Sequence, residues 1–251
     1  MEYGPQLAEG KTKIIYADSV DPALAIMVQK DAISAGDGAR RDVLPGKGHL
    51  SSHTAANVFG LLNTAGIPTH FVSTPAEGTL LVRRCEMIPL EVVMRRLATG
   101  SYLKRVPGST EGQRFDPPLV EFFLKDDARH DPQMTEHEIV TQRVATGYEV
   151  TRMTELGRAV FGVLEGAWAA QNVVLVDLKI EFGRTTDGVL VVADMIDNDS
   201  WRLWPAGDKD QMLDKQIYRN MLAVDQAGLD LVLTKYREVA ALTDRFKSHL
   251  E

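Results

Sequence analysis

Five acids interrupt two apolar runs in VDLKIEFGRTTDGVLVVADMIDNDSWRLWP, residues 176–205: Asp177, Glu181, Asp194, Asp197 and Asp199. Side chains alternate along a strand, so Val176, Leu178, Ile180 and Phe182 share one face and Asp177, Lys179 and Glu181 the other. If Asp187-Gly188 is the central pair of a two-residue type I′ turn, Thr186 pairs with Val189, Glu181 faces Asp194 and Asp177 faces Asn198. Directly opposed like charges are destabilising, and Cβ atoms about 5 Å apart across a strand pair suit a shared cation. Two carboxylates completed by water and phosphate oxygens are the pattern expected for Mg²⁺. Lys179 stands about 7 Å along the same face from Glu181, within reach of a phosphate the metal touches. A solvated hairpin face is the commoner explanation of an arbitrary DxKxE strand. Asp194 tips the balance towards chemistry, because VLVVADMI is otherwise apolar on both faces and its acid needs a partner. Asp197 is expected on the core side or at the strand's edge, and Asp199 leads towards Arg202.

A metal-bound nucleotide also needs cations. EGKTK puts Gly10 before two same-face lysines, Lys11 and Lys13, but lacks Walker-loop spacing, and edge-strand lysines are the commoner reading. Arg95, Arg96, Lys104 and Arg105 flank the TGS at 99–101, where a Gly-Ser turn beside arginine suits a monophosphate. A solvated helix face fits those arginines equally well. Arg202 between Trp201 and Trp204 reads as a guanidinium positioned among aromatics. KDDARHDP, with Lys125, Asp126, Asp127, His130 and Asp131, is a poor metal set and reads as a polar loop near substrate.

The elements that must carry these residues follow from periodicity. KTKIIYA and LAIMVQK read as paired strands around the turn-rich DSVDPA, and HFVST and TLLVRR as further strands. Residues 34–48, with four glycines and a proline, read as a long loop and as the candidate lid. Ser51 or Ser52 is expected to cap a helix that runs to about Thr64 and stops at Gly66 and Pro68. FDPPLVEFFL reads as a core strand, and Thr135 with Glu138 as a capping box. Val150, Met153, Leu156, Val160, Val163, Leu164 and Ala167 recur at helical spacing, and an amphipathic helix closes the chain. The pattern predicts an α+β fold: two lobes with antiparallel sheets flanked by helices, 1–86 and 87–251.

With 251 residues, 44% of them hydrophobic, a sizeable core is expected. A net charge of -7 disfavours nucleic acid as a partner, so a polyanionic ligand must be held by local basic clusters. The single cysteine, Cys85, excludes an intrachain disulfide and reads as a buried small hydrophobe. There is no signal-like start and no membrane-length apolar run, and a cytoplasmic location is expected.

EGKTKIIY, SAGDGAR, CEMIPLEVVMRRLATGSYLKR, FFLKDDARHDP, VDLKIEFG and IDNDSWRLWP with DKQIYR, taken together, resemble the phosphoribosylaminoimidazole-succinocarboxamide synthase (SAICAR synthetase) family over residues 7–220. DNDSWRLWP is similar to the animal type, in which the domain is fused to a carboxylase. The resemblance implies an α+β fold with a nucleotide cleft between lobes, and commonly a homo-oligomer. It implies a ligase that joins L-aspartate to carboxyaminoimidazole ribonucleotide at the expense of ATP with Mg²⁺, through an acyl phosphate. On matching positions it implies Gly10, Lys11, Lys13, Glu86, Met87 and Lys179 at the nucleotide, and Glu181 and Asp194 at the metal. It implies Arg95, Ser101 and Arg202 at the ribonucleotide phosphate, and Ser34, Asp37, Arg40, Lys125, Asp131, Lys215 and Arg219 on the substrate side. The residues alone leave two other readings open. One is a kinase-like phosphotransferase, since D-L-K and a later AD resemble its catalytic loop and metal aspartate, although Phe182 and Met195-Ile196 depart from that pattern. The other is a nucleotide-binding module without turnover.

Overall fold

The computed structural model describes residues 2–35 and 39–248. In chain order the strands and helices are β1 (Tyr3–Glu9), β2 (Lys13–Asp18), β3 (Leu24–Gln29), β4 (Ala32–Ala35), β5 (Arg40–Val43), α1 (Lys47–Thr64), β6 (Phe71–Ala76), β7 (Thr79–Arg83) and β8 (Cys85–Leu97). There follow α2 (Ser101–Arg105), β9 (Arg114–Leu124), β10 (Gln133–Met134), α3 (Glu136–Thr141), α4 (Gly147–Ala169), β11 (Val173–Thr185), β12 (Leu190–Ala193), β13 (Trp201–Pro205), α5 (Gln216–Asn220) and α6 (Gln226–Thr243).

The strands form two larger antiparallel sheets, as an α+β fold requires. The first has the order β1-β2-β3-β7-β6, and the second β10-β9-β8-β11-β12. The far edge of the long β11 is shared: β13 pairs with its first half and β12 with its last residues. The apolar face of β11, with Leu178, Ile180 and Phe182 fully buried, packs under α4 in the core that also takes in α1. α3 and α4 both open on capping boxes, Thr135 with Glu138 and Thr146 with Glu149, which satisfy otherwise orphaned N–H groups.

Between the sheets, His70 N donates to Val192 O at 2.9 Å and Val192 N to Pro68 O at 3.0 Å. His70 is buried, and burial pulls its imidazole down to a pKa of about 3, so it stays neutral. α6 returns from the end of the chain to pack on α1.

Three expectations need correction, and one strand was not expected. Residues 34–48 are not one loop: Ala32–Ala35 and Arg40–Val43 pair as β4 and β5, and α1 already starts at Lys47. That helix is entered from Gly46 at φ 90 with no side-chain cap, so Ser51 and Ser52 lie inside it. Tyr3–Glu9 is an additional edge strand. Cys85 is half-buried; its thiol donates to Arg83 O at 3.3 Å, and burial raises its pKa to about 11.

Candidate active site

β8 and β11 lie side by side with their polar faces in step. Asp177 pairs with Arg95, Lys179 with Val93 and Glu181 with Glu91. Alternation on both strands therefore lines up Arg95, Val93 and Glu91 beside Asp177, Lys179 and Glu181, while the opposite faces are core.

The β11–β12 register differs from the expected one by a residue: Glu181 faces Ala193, not Asp194. The loop contains Thr186, Asp187 and Gly188. Thr185 N donates to Val189 O at 3.0 Å, Gly188 adopts φ 83, and Val189 N donates to the Thr185 hydroxyl at 3.0 Å. It is a three-residue turn with glycine in the left-handed position. Asp194 lies just beyond β12 at φ 64, a conformation Asp tolerates better than most residues, and its carboxylate pairs with Lys13 of β2. Asp177 faces Arg202 on β13 instead of Asn198.

Three lysines converge on these acids. Glu181 is 3% exposed and accepts from Lys125 Nζ at 2.6 Å and Lys179 Nζ at 3.2 Å; Lys179 also donates to Glu91 at 2.9 Å. Against the cost of burial, Lys179 and Lys125 hold the Glu181 carboxyl below its usual range. Burial likewise works against the charge on Lys179, but Glu181 and Glu91 hold its pKa above the ordinary lysine value. Burial brings Lys13 down to about 8, with Glu181 opposing the shift.

Further along the strand pair, Arg95 is buried and donates to Glu121 at 2.6 Å, to Asp177 at 2.9 Å and to Ser101 Oγ at 3.4 Å. Arg202 also donates to Asp177. Its guanidinium lies on Gly100, where a Cβ would fall 2.5 Å from Nη2, and Gly100, Arg202 and Trp204 line a neighbouring cavity together. Trp201 stacks edge-on against Trp168 in the core. A cavity of about 150 Å³ opens here, lined by Glu91, Arg95, Ser101, Lys179, Arg202 and Arg219 among others. Arg96 points elsewhere and pairs with Glu165 at 2.6 Å.

At one rim, Lys215 donates to Asp199 at 2.7 Å. Burial and the neighbouring charge of Asp199 raise the Asp197 carboxyl, whereas Lys47 and Lys215 outweigh burial and hold Asp199 well below its usual range. Asp197 is thus buried beyond the strand's end, beside Asp199, Lys47 and Ser51.

The other expected residues are more scattered. Gly10 and Lys11 lie in the β1–β2 turn, where Gly10 N donates to Lys13 O at 2.9 Å. Glu86, paired with Arg184 at 3.2 Å, and Met87 sit at the opposite end of β8 from Arg95. Ser34 is in β4, and Arg40 donates to Tyr218 O at 3.0 Å. Asp131 accepts from Asp126 N at 2.8 Å, which closes its own loop. Asp37 lies outside the described residues. Sequence reasoning missed Glu91 and Glu121. Glu91 was legible in principle, since EVVMR alternates it onto the face of Arg95; Glu121 depends on β9 pairing with β8, which is tertiary information.

Among the described residues no group of three or more His, Cys, Asp or Glu forms a protein-only metal cage. Two oxygen donors, Glu181 and Asp194, are linked through Lys13, which pairs with Asp194 and feels the charge of Glu181. Such a set fits a Mg²⁺ held partly by substrate phosphates.

A family profile for SAICAR synthetase matches residues 6–235. The chain is 63% identical over 244 residues to a phosphoribosylaminoimidazole-succinocarboxamide synthase of Roseiflexus sp. (strain RS-1), covering 97% of this chain and 98% of that one. It is 48% identical over 243 residues to the bifunctional carboxylase/synthetase of Drosophila melanogaster, covering 94% of this chain and 57% of that one. The fold is similar to that of a type-2 SAICAR synthetase solved with ADP, with a TM-score of 0.84 at 32% identity, covering 94% of this chain and 96% of the other.

Proposed function

The chain belongs to the SAICAR synthetase family, and on that premise we propose that it is an ATP-dependent ligase that joins L-aspartate to the carboxylate of carboxyaminoimidazole ribonucleotide. The products are the succinocarboxamide ribonucleotide, ADP and phosphate, with an acyl phosphate between. The observation that carries this reading is the convergence of Lys13, Lys125 and Lys179 on Glu181 and Asp194, with Lys179 also lining the cavity of Arg95, Ser101 and Arg202.

A carboxylate is a poor acyl donor, so its oxygen must first take the γ-phosphoryl group. Positioning and charge neutralisation do most of the work in such a transfer. Lys13, Lys125 and Lys179 supply positive charge around the transferring group, with Gly10 and Lys11 of the β1–β2 turn beside the phosphates and Glu86 and Met87 at the base. Glu181 and Asp194 would hold Mg²⁺, which when bound neutralises phosphate charge. Arg95, Ser101 and Arg202 grip the ribonucleotide phosphate. Ser34, Arg40, Asp131, Lys215 and Arg219 are assigned to the substrate side, as is Asp37 of the undescribed segment; there the aspartate amine attacks the acyl carbon and inorganic phosphate leaves. The same reading includes a homo-oligomer in the cytoplasm and a chain organised as lobes 1–86 and 87–251. A kinase-like reading is weakened because Phe182, where that motif needs Asn, is fully buried in the core.

The test is to incubate the protein with ATP, Mg²⁺ and the carboxylated ribonucleotide, with and without aspartate, and to follow ADP, phosphate and products. Aspartate-dependent, stoichiometric succinyl adduct and free phosphate are expected. A stable phosphorylated acceptor would favour the kinase, and binding without turnover would favour a nucleotide-binding module.

A further inference from the structure

Apart from the main core, Ile33, Leu44, Tyr218, Val232 and Tyr236 form a small apolar cluster that joins β4, the start of α1, α5 and α6. α5, which carries Arg219 and follows Lys215, borders it through Tyr218. α5 has only five residues, too few to hold a helix in place by itself, and Lys215 is its N-cap. From one side, the Tyr218 hydroxyl donates to Asp42 at 2.5 Å and Arg40 donates to Tyr218 O at 3.0 Å. From the other side, Tyr236 of α6, 1% exposed, donates its hydroxyl to Asp199 Oδ1 at 2.5 Å. Asp199 Oδ2 then accepts from Lys215 Nζ at 2.7 Å. Lys47 Nζ lies 5.4 Å from the centre of the Tyr236 ring. Asp199 lines the same cavity as Arg219.

Asp199 therefore divides its two oxygens between a buried hydroxyl and a substrate-side ammonium. A carboxylate turns easily about its last torsion, so an oxygen released from one partner swings towards another cation. We propose that Tyr236 is a positioning residue for the substrate side of the cavity: its hydroxyl fixes Asp199, and through Asp199 it sets where the Lys215 ammonium stands. The inference rests on the ligase reading of that cavity.

The test is Tyr236→Phe in the full chain, which keeps the ring and its contact with Lys47 and removes one oxygen. KM for the ribonucleotide or for aspartate is expected to rise about tenfold, the scale of one charge-assisted hydrogen bond. KM for ATP should be nearly unchanged, and the melting temperature should fall by no more than the few degrees that one lost buried hydrogen bond accounts for. Val232→Ala is the control, since it loosens α6 in the same cluster without touching Asp199, and all three KM values should stay near wild type. Wild-type KM values throughout in Tyr236→Phe, a rise in all three, or the same shift in Val232→Ala would each overturn the proposal. Calorimetric binding of the carboxylated ribonucleotide and of aspartate to wild type and Tyr236→Phe separates the two levels of inference. If the wild type does not turn over, the ligase reading fails, while a weakened affinity in the variant still upholds the positioning role and an unchanged one rejects it.

Discussion

An ammonium set against each of two carboxylates gives each acid a partner that it can exchange when a polyphosphate arrives. Glu181 and Asp194 stand in that relation to Lys125, Lys179 and Lys13. If the acids hold the metal, Glu181→Gln or Asp194→Asn should lower kcat by about 10²–10³ in Mg²⁺, the range for removing one group that stabilises developing charge, while the circular dichroism spectrum stays that of wild type. Wild-type turnover by either variant would sink the metal assignment. Gly100 is constrained in another way. At φ 59 and ψ -126 it occupies backbone space that side chains rarely adopt, and a Cβ there would displace the Arg202 guanidinium. Gly100→Ala should therefore cost about 1–3 kcal/mol in a urea melt. It should also raise KM for the ribonucleotide more than KM for ATP; equal effects on both would mean that Arg202 does not serve the phosphate.

At the scale of elements, an ion pair links the start of α4 to the end of β11. Glu149 is the third residue of its capping box and accepts from Arg184 Nε at 2.5 Å. The Arg184 bond, against a smaller cost of burial, holds the Glu149 carboxyl down at about 2 from an ordinary 4.5. A depressed carboxylate pKa contributes stability that is complete above the unfolded value and is lost as pH falls through the folded one. Glu149→Gln should cost about 1–2 kcal/mol at pH 7, allowing for partial screening. The difference from wild type should shrink between pH 4.5 and about 2; a difference constant across that window would reject the linkage. The Thr135–Glu138 capping box, the α4 stripe and the two-faced β11 were legible because each is a local pattern with its own spacing. β1 was not, since nearly every residue is exposed and no alternation exists to read. The start of α1 was hidden because Gly46 replaces a side-chain cap. The hairpin slipped by one residue because the Thr185 hydroxyl takes the Val189 amide and lengthens the turn, a choice that the dipeptide Asp187-Gly188 does not reveal. In the candidate site, alternation displayed Lys179 and Glu181. The pairing of Asp177 with Arg95 and Arg202, and of Asp199 with Tyr236, depends on which elements become neighbours.

Over the whole molecule, 28 basic side chains face 35 acidic ones, so the net charge of -7 repels every substrate of the proposed reaction at long range. The candidate site offsets that field locally by gathering Lys13, Lys125, Lys179, Arg95, Arg202 and Arg219, which match the charge of the carboxylates beside them. The two fields respond differently to salt. Raising KCl from about 0.1 M to about 1 M shortens the screening length from about 10 Å to about 3 Å, which weakens the attraction of the partly exposed lysines for incoming phosphates. It also weakens the self-repulsion of an anionic fold. Over that range kcat/KM for the ribonucleotide should fall by about tenfold, with kcat changing less, while the melting temperature holds or rises. Stopped initial rates and thermal melts in the same buffers test both halves. If kcat/KM rises with salt, the overall negative field governs approach and the cationic cluster does not reach far enough to capture substrate. If the melting temperature falls in parallel with activity, the buried Arg95–Asp177–Arg202 network is being screened, and the loss belongs to the fold instead of to binding.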